Sequence, residues 1–335
     1  MAGAALPPLR VGLVGCGRVG LHLIERSAVG GPFQVVAASE KLDVIRQIAP
    51  FGVRLMSLSE LVQSADIDVL WVTSFWEFPF KRSPLAATHG QHLIVETPFT
   101  LGLQAAEQAF ADAVGRGRLL LIHHPRRADP EFRQALAVSR DERIGAIRAM
   151  KFVLWSYGRP PRGATRCTEP SVWDEYAEPG ATKVRFVAHA LDQLVLLIPN
   201  RPMSVLAVGD TSAGAADLFA GDSLGLRIVF ESGCQAEIDV RLDSPTPFQS
   251  GWMLTGEHGG YANGRQYTLT DEGEVFDSPV TTMEKPEDTD QFEWLARQIR
   301  SGVRDVGEEE RACLVVALLE AAQRSLVTSQ PVTLK

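Results

Sequence analysis

An apolar segment that runs directly into three spaced glycines constrains the fold of this chain most strongly. Residues 9–15 read LRVGLVG, and residues 15–20 read GCGRVG. Glycines at this spacing allow a tight turn after a strand, close approach of the backbone to a pyrophosphate, and close packing of the following helix. The helix N-terminus adds N–H groups and a partial positive charge. The residues predicted to contact a dinucleotide in this loop are Gly15, Gly17, Arg18, Val19 and Gly20.

The end of the second apolar segment extends the predicted dinucleotide site. FQVVAAS at 33–39 is followed by Glu40, twenty positions after Gly20. An acidic residue at this distance accepts hydrogen bonds from the adenosine ribose and repels a 2′-phosphate, so NAD is favoured over NADP. Lys41 weakens that preference and keeps NADP as the second choice. The alternative interpretation is a plain glycine turn with an incidental surface carboxylate.

Apolar segments and helical patterns alternate through residues 1–125. Continuous rather than alternating hydrophobicity is typical of strands that are buried on both faces of a parallel sheet. The alternation therefore predicts a doubly wound parallel sheet, the Rossmann architecture. The predicted strands are 9–15, 33–39, 69–73, 92–96 and 118–122, and the predicted helices are 19–29, 42–48, 58–64, 81–89 and 103–114.

The pattern changes after Pro130 and predicts a second domain over residues 126–335. Strand-like segments with turn signals dominate here, as in LGLRIVFESGCQAEIDVRL at 224–242. This pattern predicts an α+β domain with one largely antiparallel sheet. Further predicted elements are helices at 130–140 and around 183–198, a strand at 146–156, and two helices near the end in DQFEWLARQIRSG and EEERACLVVALLEAAQRSL.

Composition limits the classes of protein that this chain can represent. It has 335 residues, of which 45% are hydrophobic and 22% charged, as expected of a globular protein with two domains. The net charge of −8 argues against a general nucleic-acid binder. No signal peptide or membrane span is predicted, which favours a cytoplasmic location. The four cysteines lack paired spacing, so neither a metal site nor a disulfide framework is predicted.

Several segments together resemble the Gfo/Idh/MocA oxidoreductases, the family of glucose–fructose oxidoreductase and inositol dehydrogenase. Their order and spacing carry the resemblance, which implies a Rossmann domain followed by an open-faced, mostly antiparallel sheet. It also implies a nicotinamide between the domains, a sugar, sugar acid or polyol-like substrate, and a homo-oligomer formed through the second-domain sheet. The segments are GLVGCGRVG, DVLWVTS (68–74), HGQHLIVETPFTLGLQAAEQ (89–108), RADPEFR (127–133), IGAIRAMKF (144–152), VAHALDQLVLL (187–197), GEHGG (256–260) and AAQRSLVTSQPVTL (321–334).

This chain has only part of the catalytic set that the resemblance implies. Thr97 stands where the family has the lysine of Glu-Lys-Pro, and its short hydroxyl is not a useful acid or base near neutral pH. His189 is kept on the later helix, but Arg185 occupies the position of the usual aspartate four residues before it. We predict that His189 is the proton partner, that Thr97 lies in the site, and that Thr73 and Glu96 contact the cofactor. The alternatives are a packed helix histidine at 189 and a turn-capping carboxylate at 96.

A series of cations follows the first strand of the second domain. The resemblance places this loop near the nicotinamide, where arginine forks would bind a carboxylate or phosphate. Arg185 would then anchor an anionic substrate such as a sugar acid. The alternative is a solvated loop whose charges balance nearby acidic residues. The cations are Arg159, Arg162, Arg166, Lys183 and Arg185.

Aromatic and imidazole side chains follow two of the predicted strands. Trp71 and the aromatic residues within 75–80 either stack on a nicotinamide or sugar ring or pack in a core or interface. His123 and His124 point to opposite faces of an extended chain, which predicts one core-facing ring and no metal site.

Taken together, these features predict a nicotinamide-dependent oxidoreductase with a non-standard catalytic set. A general acid or base is typically worth about 10²–10⁴ in rate, so the loss of two such groups requires a different mechanism. Biliverdin reductases and NAD-dependent glycosidases depart from the family pattern at the same motif and offer two alternatives. A third alternative is a non-catalytic NAD(P)-binding sensor or subunit.

Overall fold

The computed structural model describes residues 6–16, 18–39, 48, 51–73, 90–156, 179–209, 217–281 and 290–334. The chain divides into two compact units. The first comprises Met1–His124 and Pro286–Cys313, and the second comprises Pro125–Lys285 and Leu314–Lys335. The segment 286–313 therefore groups with the first unit, whereas the sequence pattern assigned it to the second domain. Within the described residues, no helix combines the length and apolar character needed to span a membrane.

The first unit contains a six-stranded, fully parallel sheet in the order β3-β2-β1-β4-β5-β6. Strands β2 and β3 follow on one side of β1, and strands β4, β5 and β6 follow on the other side. The topological switch point therefore lies between β1 and β4, as in dinucleotide-binding doubly wound folds. The predicted doubly wound sheet is confirmed, and the short β3 is an addition to it. The strands are β1 (Leu9–Val14), β2 (Phe33–Ser39), β3 (Arg54–Leu55), β4 (Val69–Val72), β5 (His92–Glu96) and β6 (Leu120–His123).

Helices of the first unit follow the predicted alternation with the strands. They are α1 (Arg18–Ala28), α2 (Leu58–Gln63), α3 (Leu103–Gly115) and, from the distant segment, α6 (Gln291–Ser301). The helix α2 starts with a capping box in which the Ser57 side chain accepts from the N–H of Glu60. The predicted helices at 42–48 and 81–89 fall outside the described residues, except for Ile48.

The helix α6 belongs to the first unit because of its apolar face. Phe292, Leu295, Ala296 and Ile299 recur at helical spacing, and all four are buried. They share one hydrophobic core with strand residues of the parallel sheet, including Trp71. Helical periodicity predicts such a face, but it does not identify the core that receives it.

The second unit contains a nine-stranded sheet in the order β14-β13-β12-β11-β7-β10-β9-β8-β15. Neighbouring strands are antiparallel, except that β7 and β10 are parallel. The predicted, mostly antiparallel sheet is therefore confirmed. The strands are β7 (Ile147–Trp155), β8 (Pro202–Gly209), β9 (Ser223–Phe230), β10 (Gln235–Arg241), β11 (Gln249–Gly256), β12 (Gly259–Ala262), β13 (Arg265–Leu269), β14 (Val275–Pro279) and β15 (Val332–Thr333).

The two faces of this sheet differ in polarity. Alternate residues of β10 are buried, and α4 (Pro130–Ser139) and α5 (Pro179–Leu197) pack on strands of the same sheet. On the other face, Glu237 of β10 lies between Lys151 of β7 and Arg227 of β9 in the strand register. One face is thus apolar and covered, and the other carries charged side chains. The last helix, α7 (Val306–Thr328), is divided between the two units after Cys313.

Candidate functional site

The glycine loop has the close contacts that its sequence predicts. Gly15 follows β1 with a φ of 84°, in the left-handed region that glycine tolerates. Thr73 donates from Oγ1 to the Gly15 carbonyl oxygen at 2.7 Å and from its backbone N–H to the Val14 carbonyl oxygen at 3.0 Å. A Cβ on Gly20 would lie 2.8 Å from the same Gly15 oxygen and 3.0 Å from Leu13 Cδ2. Glycine at 20 therefore lets α1 start close against β1.

The remaining predicted cofactor residues of the loop are only partly described. Arg18 and Val19 open α1, and Val19 is partly buried against the hydrophobic core of the first unit. Gly17 and Glu40 lie outside the described residues. The roles of these two residues therefore stay predictions from the sequence.

Glu96, the last residue of β5, is held by two side chains of neighbouring strands. Its side chain is only 4% exposed. Trp71 donates from Nε1 to Glu96 Oε1 at 3.0 Å, and His123 Nδ1 lies 2.8 Å from the same oxygen. Because a carboxylate oxygen can only accept, this geometry places the His123 proton on Nδ1. Trp71 and His123 are therefore partners of Glu96 within the protein, and we name the group Trp71, Glu96 and His123 the carboxylate trio.

The carboxylate trio is embedded in aromatic side chains. Trp71 is fully buried, and its ring centroid lies 5.3 Å from that of Phe33 and 5.6 Å from that of Phe292. His123 meets the Trp71 ring edge to face at 5.2 Å. Trp71 is therefore a core residue, whereas the aromatic residues within 75–80 lie outside the described part of the chain. The described residues contain no group of three or more potential metal ligands.

Thr97 follows the trio directly in the chain. It is buried, and its peptide bond to Pro98 is cis. A buried threonine hydroxyl can donate and accept hydrogen bonds, but it does not supply the charge or the reach of a lysine ammonium. Thr97 therefore cannot take over the proton transfer that the lysine of the family's Glu-Lys-Pro motif performs at this position.

His189 lies on α5 and shares one face with three other residues. It is buried, and the helical spacing places Phe186, Asp192 and Gln193 beside it. The position four residues before His189, where the family has an aspartate, is occupied by Arg185, whose side chain is half-buried. Asp192, three residues after His189, supplies a carboxylate on the same face, and the family pattern does not predict it there. The helical period alone would have pointed to Asp192.

The 3-10 helix Pro125–Ala128 holds this face of α5. Arg127 donates to both carboxylate oxygens of Asp192, at 2.8 and 2.7 Å. Gln193 donates from Nε2 to the Arg126 carbonyl oxygen at 2.7 Å. The Arg126 guanidinium also lies 4.6 Å from the Phe186 ring centroid. Two successive arginines thus fix the orientation of the helix that carries His189.

Lys183 is a structural cation and not a member of an exposed basic cluster. Its side chain is fully buried near the start of α5. The ammonium donates to the backbone carbonyl oxygens of Ala220, Gly221 and Ser223. The prediction that Lys183 joins a substrate-facing set of cations is therefore wrong, because three carbonyls already surround its charge. Arg159, Arg162 and Arg166 lie outside the described residues.

Trp252 of β11 connects the sheet to both α4 and α5. The Trp252 backbone N–H donates to Glu131 Oε1 at 2.7 Å, and its indole Nε1 donates to Gln193 Oε1 at 2.7 Å. Burial raises the pKa of Glu131 to about 7, the Trp252 N–H opposes this, and the Asp129 carboxylate adds to it. The folded chain therefore binds a proton at Glu131 more tightly than the unfolded chain does.

Replacing Glu131 with glutamine is expected to stabilise the chain in a pH-dependent way. Since the pKa rises from 4.5 to about 7 on folding, the charge at Glu131 disfavours folding increasingly across this range. Glutamine keeps an oxygen for the Trp252 N–H without that charge. Urea unfolding should show a gain of about 1–2 kcal/mol near pH 8 that fades near pH 4. Glu142→Gln, at an exposed site, is the control, and an equal loss at both pH values for Glu131→Gln would contradict the expectation.

Comparison with solved structures shows the same fold over nearly the whole chain. GenD2 from gentamicin A biosynthesis, solved in complex with NAD, is 18% identical, with 100% of this chain and 99% of that chain covered and a TM-score of 0.77. Scyllo-inositol dehydrogenase from Lactobacillus casei, solved with NAD(H) and scyllo-inositol, is 18% identical, with 98% and 99% covered and a TM-score of 0.69. The chain thus has the two-domain fold of the Gfo/Idh/MocA-type dehydrogenases, which confirms the predicted resemblance at the level of the fold.

Curated proteins that match the chain are distant relatives named as dehydrogenases or oxidoreductases. No protein-family model matches the chain. The 1-carboxy-3-chloro-3,4-dihydroxycyclo hexa-1,5-diene dehydrogenase of Comamonas testosteroni is 23% identical over 204 residues, covering 59% of this chain and 49% of that protein. The uncharacterized oxidoreductase YdgJ of Escherichia coli is 29% identical over 126 residues, covering 37% of this chain and 36% of that protein. The chain therefore spans about half the length, or less, of these two relatives.

Proposed function

We propose that this chain is an NAD-dependent oxidoreductase that acts on a sugar, sugar acid or polyol-like small molecule. The observation that carries this proposal is the contact between the glycine loop and the sheet. The Gly15 carbonyl oxygen is fixed by Thr73 Oγ1 at 2.7 Å, and Gly20 leaves no space for a Cβ beside it. A loop with this geometry exposes backbone N–H groups to a pyrophosphate at the start of a helix.

The cofactor residues of the proposal come from the carboxyl ends of the parallel strands. When NAD is bound, its nicotinamide ring accepts or donates a hydride. Glu40 would accept from the adenosine ribose and favour NAD over NADP. Thr73 and Glu96 would contact the half of the cofactor beyond the loop. The loop residues assigned to the pyrophosphate are Gly15, Gly17, Arg18, Val19 and Gly20.

The substrate residues of the proposal lie on α5 and after β5. His189 would take the proton from a substrate hydroxyl, or return it, because imidazole titrates near neutral pH. Arg127 binds Asp192 one turn later on the same helix, which holds this part of α5 in place. Arg185 would anchor a carboxylate or phosphate of an anionic substrate, and Thr97 would line the site.

The open face of the nine-stranded sheet supports a proposed homo-oligomer. Lys151 and Glu237 form an ion pair at 3.6 Å on this face, and Met253 in the next strand of the register is exposed. A face of mixed charge with an exposed apolar residue can complement a second copy of itself across a two-fold axis. Mass measurement of the purified chain in solution tests this assembly.

Cofactor binding and turnover test the proposed function separately. Fluorescence titration of the purified chain should show binding of NAD and NADH, with weaker binding of NADP. A panel of polyols, sugars and sugar acids should then include a compound that changes the absorbance of reduced nicotinamide. Binding without turnover on a broad panel would favour a non-catalytic sensor or subunit. No binding of any nicotinamide cofactor would contradict the proposal altogether.

A further inference from the structure

The buried ammonium of Lys183 lies among three backbone carbonyl oxygens of one short segment. It donates to the carbonyl oxygen of Ala220, to that of Gly221 at 3.1 Å and to that of Ser223 at 3.4 Å. An ammonium has three N–H donors, so the oxygens match it in number. A buried charge is costly unless polar groups compensate for it, and these oxygens supply such compensation. We name the three oxygens the carbonyl cluster.

Contacts other than those of the lysine shape the segment that carries the carbonyl cluster. The Asp217 carboxylate accepts from the Phe219 N–H at 3.1 Å, and the Asp217 carbonyl oxygen accepts from the Ala220 N–H at 3.0 Å. Leu218 is fully buried, and its N–H donates to Gln323 Oε1 of α7 at 2.8 Å. The segment is therefore closed by its own turn and tied to α7 by bonds that do not need the ammonium.

The end of the segment directs its carbonyl groups to two different partners. The Asp222 carbonyl oxygen accepts from the Leu242 N–H at 2.8 Å, which ties the segment to the chain after β10. The carbonyl oxygens of Gly221 and Ser223, on either side of Asp222, are acceptors for the ammonium instead. Carbonyl oxygens that surround one point can replace the hydration shell of a monovalent cation, as they do in potassium-selective filters.

We propose that the carbonyl cluster is a binding site for a monovalent cation, and that the Lys183 ammonium is the cation that fills it. The lysine ammonium, the ammonium ion and the potassium ion are similar in size, so the same oxygens suit all three. Magnesium requires oxygens at about 2.0–2.1 Å in a near-ideal octahedron, which is closer than the oxygens of Gly221 and Ser223 lie. This site is separate from the proposed oxidoreductase activity and does not depend on it.

A cation that belongs to the chain makes this connection independent of the salt in solution. Lys183 lies in the second turn of α5, so the carbonyl cluster joins the first part of that helix to the segment ahead of β9. Because the ammonium is tethered, its effective concentration at the cluster is high and constant. The intact chain should therefore keep this connection in any salt, whereas a chain without the ammonium should take up an ion from solution.

Thermal unfolding of the full chain with Lys183→Met in three salts tests the proposal. Methionine keeps most of the buried aliphatic stem and leaves the position of the ammonium empty. The salts are the chlorides of potassium, ammonium and tetramethylammonium at equal concentration, and the last cation is too large for the carbonyl cluster. An ion that binds only the folded chain raises Tm, so potassium and ammonium should raise the Tm of Lys183→Met by about 2–4 °C relative to tetramethylammonium. The unaltered chain should show no such selective rise.

A matched variant and a direct measurement make the outcome specific. Lys151→Met removes a partly exposed lysine of the same unit and should show no selective rise in Tm. Crystals of Lys183→Met grown in rubidium chloride should show an anomalous peak within the carbonyl cluster, and crystals of the unaltered chain should show none there. Equal Tm values of Lys183→Met in all three salts, or an equal rise in Lys151→Met, overturn the proposal. Failure of Lys183→Met to fold in every salt also overturns it, because the cluster then binds no ion from solution.

Discussion

Replacing Arg127 with methionine is expected to destabilise the second unit by about 3–5 kcal/mol. The side chains of Arg127 and Asp192 are only 12% and 2% exposed, and the guanidinium donates to both carboxylate oxygens. Methionine fills much of the volume but leaves a buried carboxylate without its counter-charge. Removing one partner destabilises the protein far more than the intact ion pair stabilises it, because the remaining charge stays buried away from water. Urea unfolding of the full chain measures the loss.

A matched substitution at the surface separates burial from the loss of any arginine. Arg148 pairs with Glu257 at 3.0 Å, with side chains that are 69% and 37% exposed. Arg148→Met should therefore cost no more than about 1 kcal/mol. The double variant Arg127→Met with Asp192→Leu should recover most of the stability, since it removes both charges of this buried pair. Equal losses for Arg127→Met and Arg148→Met would show that burial of the first pair has no special energetic consequence.

The parallel sheet was predictable because burial on both faces leaves a distinctive sequence pattern. The strands at 33–39 and 92–96 were predicted with the bounds that the structure has. Both lie inside the sheet, next to neighbours on each side, and most of their side chains are apolar and buried. The two-residue strand β3 has exposed side chains and left no such pattern. Its pairing with β2 follows from the backbone and not from residue type.

Long-range packing set the limit of the domain prediction. The apolar spacing of α6 predicted a helix, and the helix is present at Gln291–Ser301. Its partners Phe33 and Trp71 lie more than two hundred residues earlier in the chain. An apolar stripe is satisfied by any apolar surface of matching shape, so the sequence contains no local signal for the choice of core. The same limit applies to Lys183, whose carbonyl partners are ordinary backbone groups.

The candidate site shows the same division between local and distant information. The Gly15 turn, Gly20 and the position of His189 on a helix follow from spacings within one or two elements. The bonds from Trp71 and His123 to Glu96 span 25 and 27 residues and join three strands. They depend on strand order and register, which composition and periodicity do not specify. A carboxylate at the end of a strand was predictable, but its internal partners were not.

Replacing His189 with alanine is expected to lower kcat by about 10²–10⁴ once a substrate is found. Neither Thr97 nor Arg185 can take a proton from a hydroxyl near neutral pH, so the imidazole is the remaining acid or base of the predicted catalytic set. The affinity for NAD should change little, because the cofactor residues of the proposal lie in the other unit. Steady-state kinetics on the identified substrate, with cofactor titration in parallel, separate the two effects.

The size of the His189 effect decides which chemistry this catalytic set supports. His258→Ala, at an exposed position of the same unit, is the matched control and should retain full activity. If His189→Ala reduces kcat strongly and a rise in pH restores part of it, hydroxide replaces the missing base and imidazole is the proton partner. A variant that keeps nearly full activity would mean that hydride transfer proceeds with little acid–base assistance from this helix. In that case the carboxylate trio, which contains the buried imidazole of His123, becomes the next group to substitute.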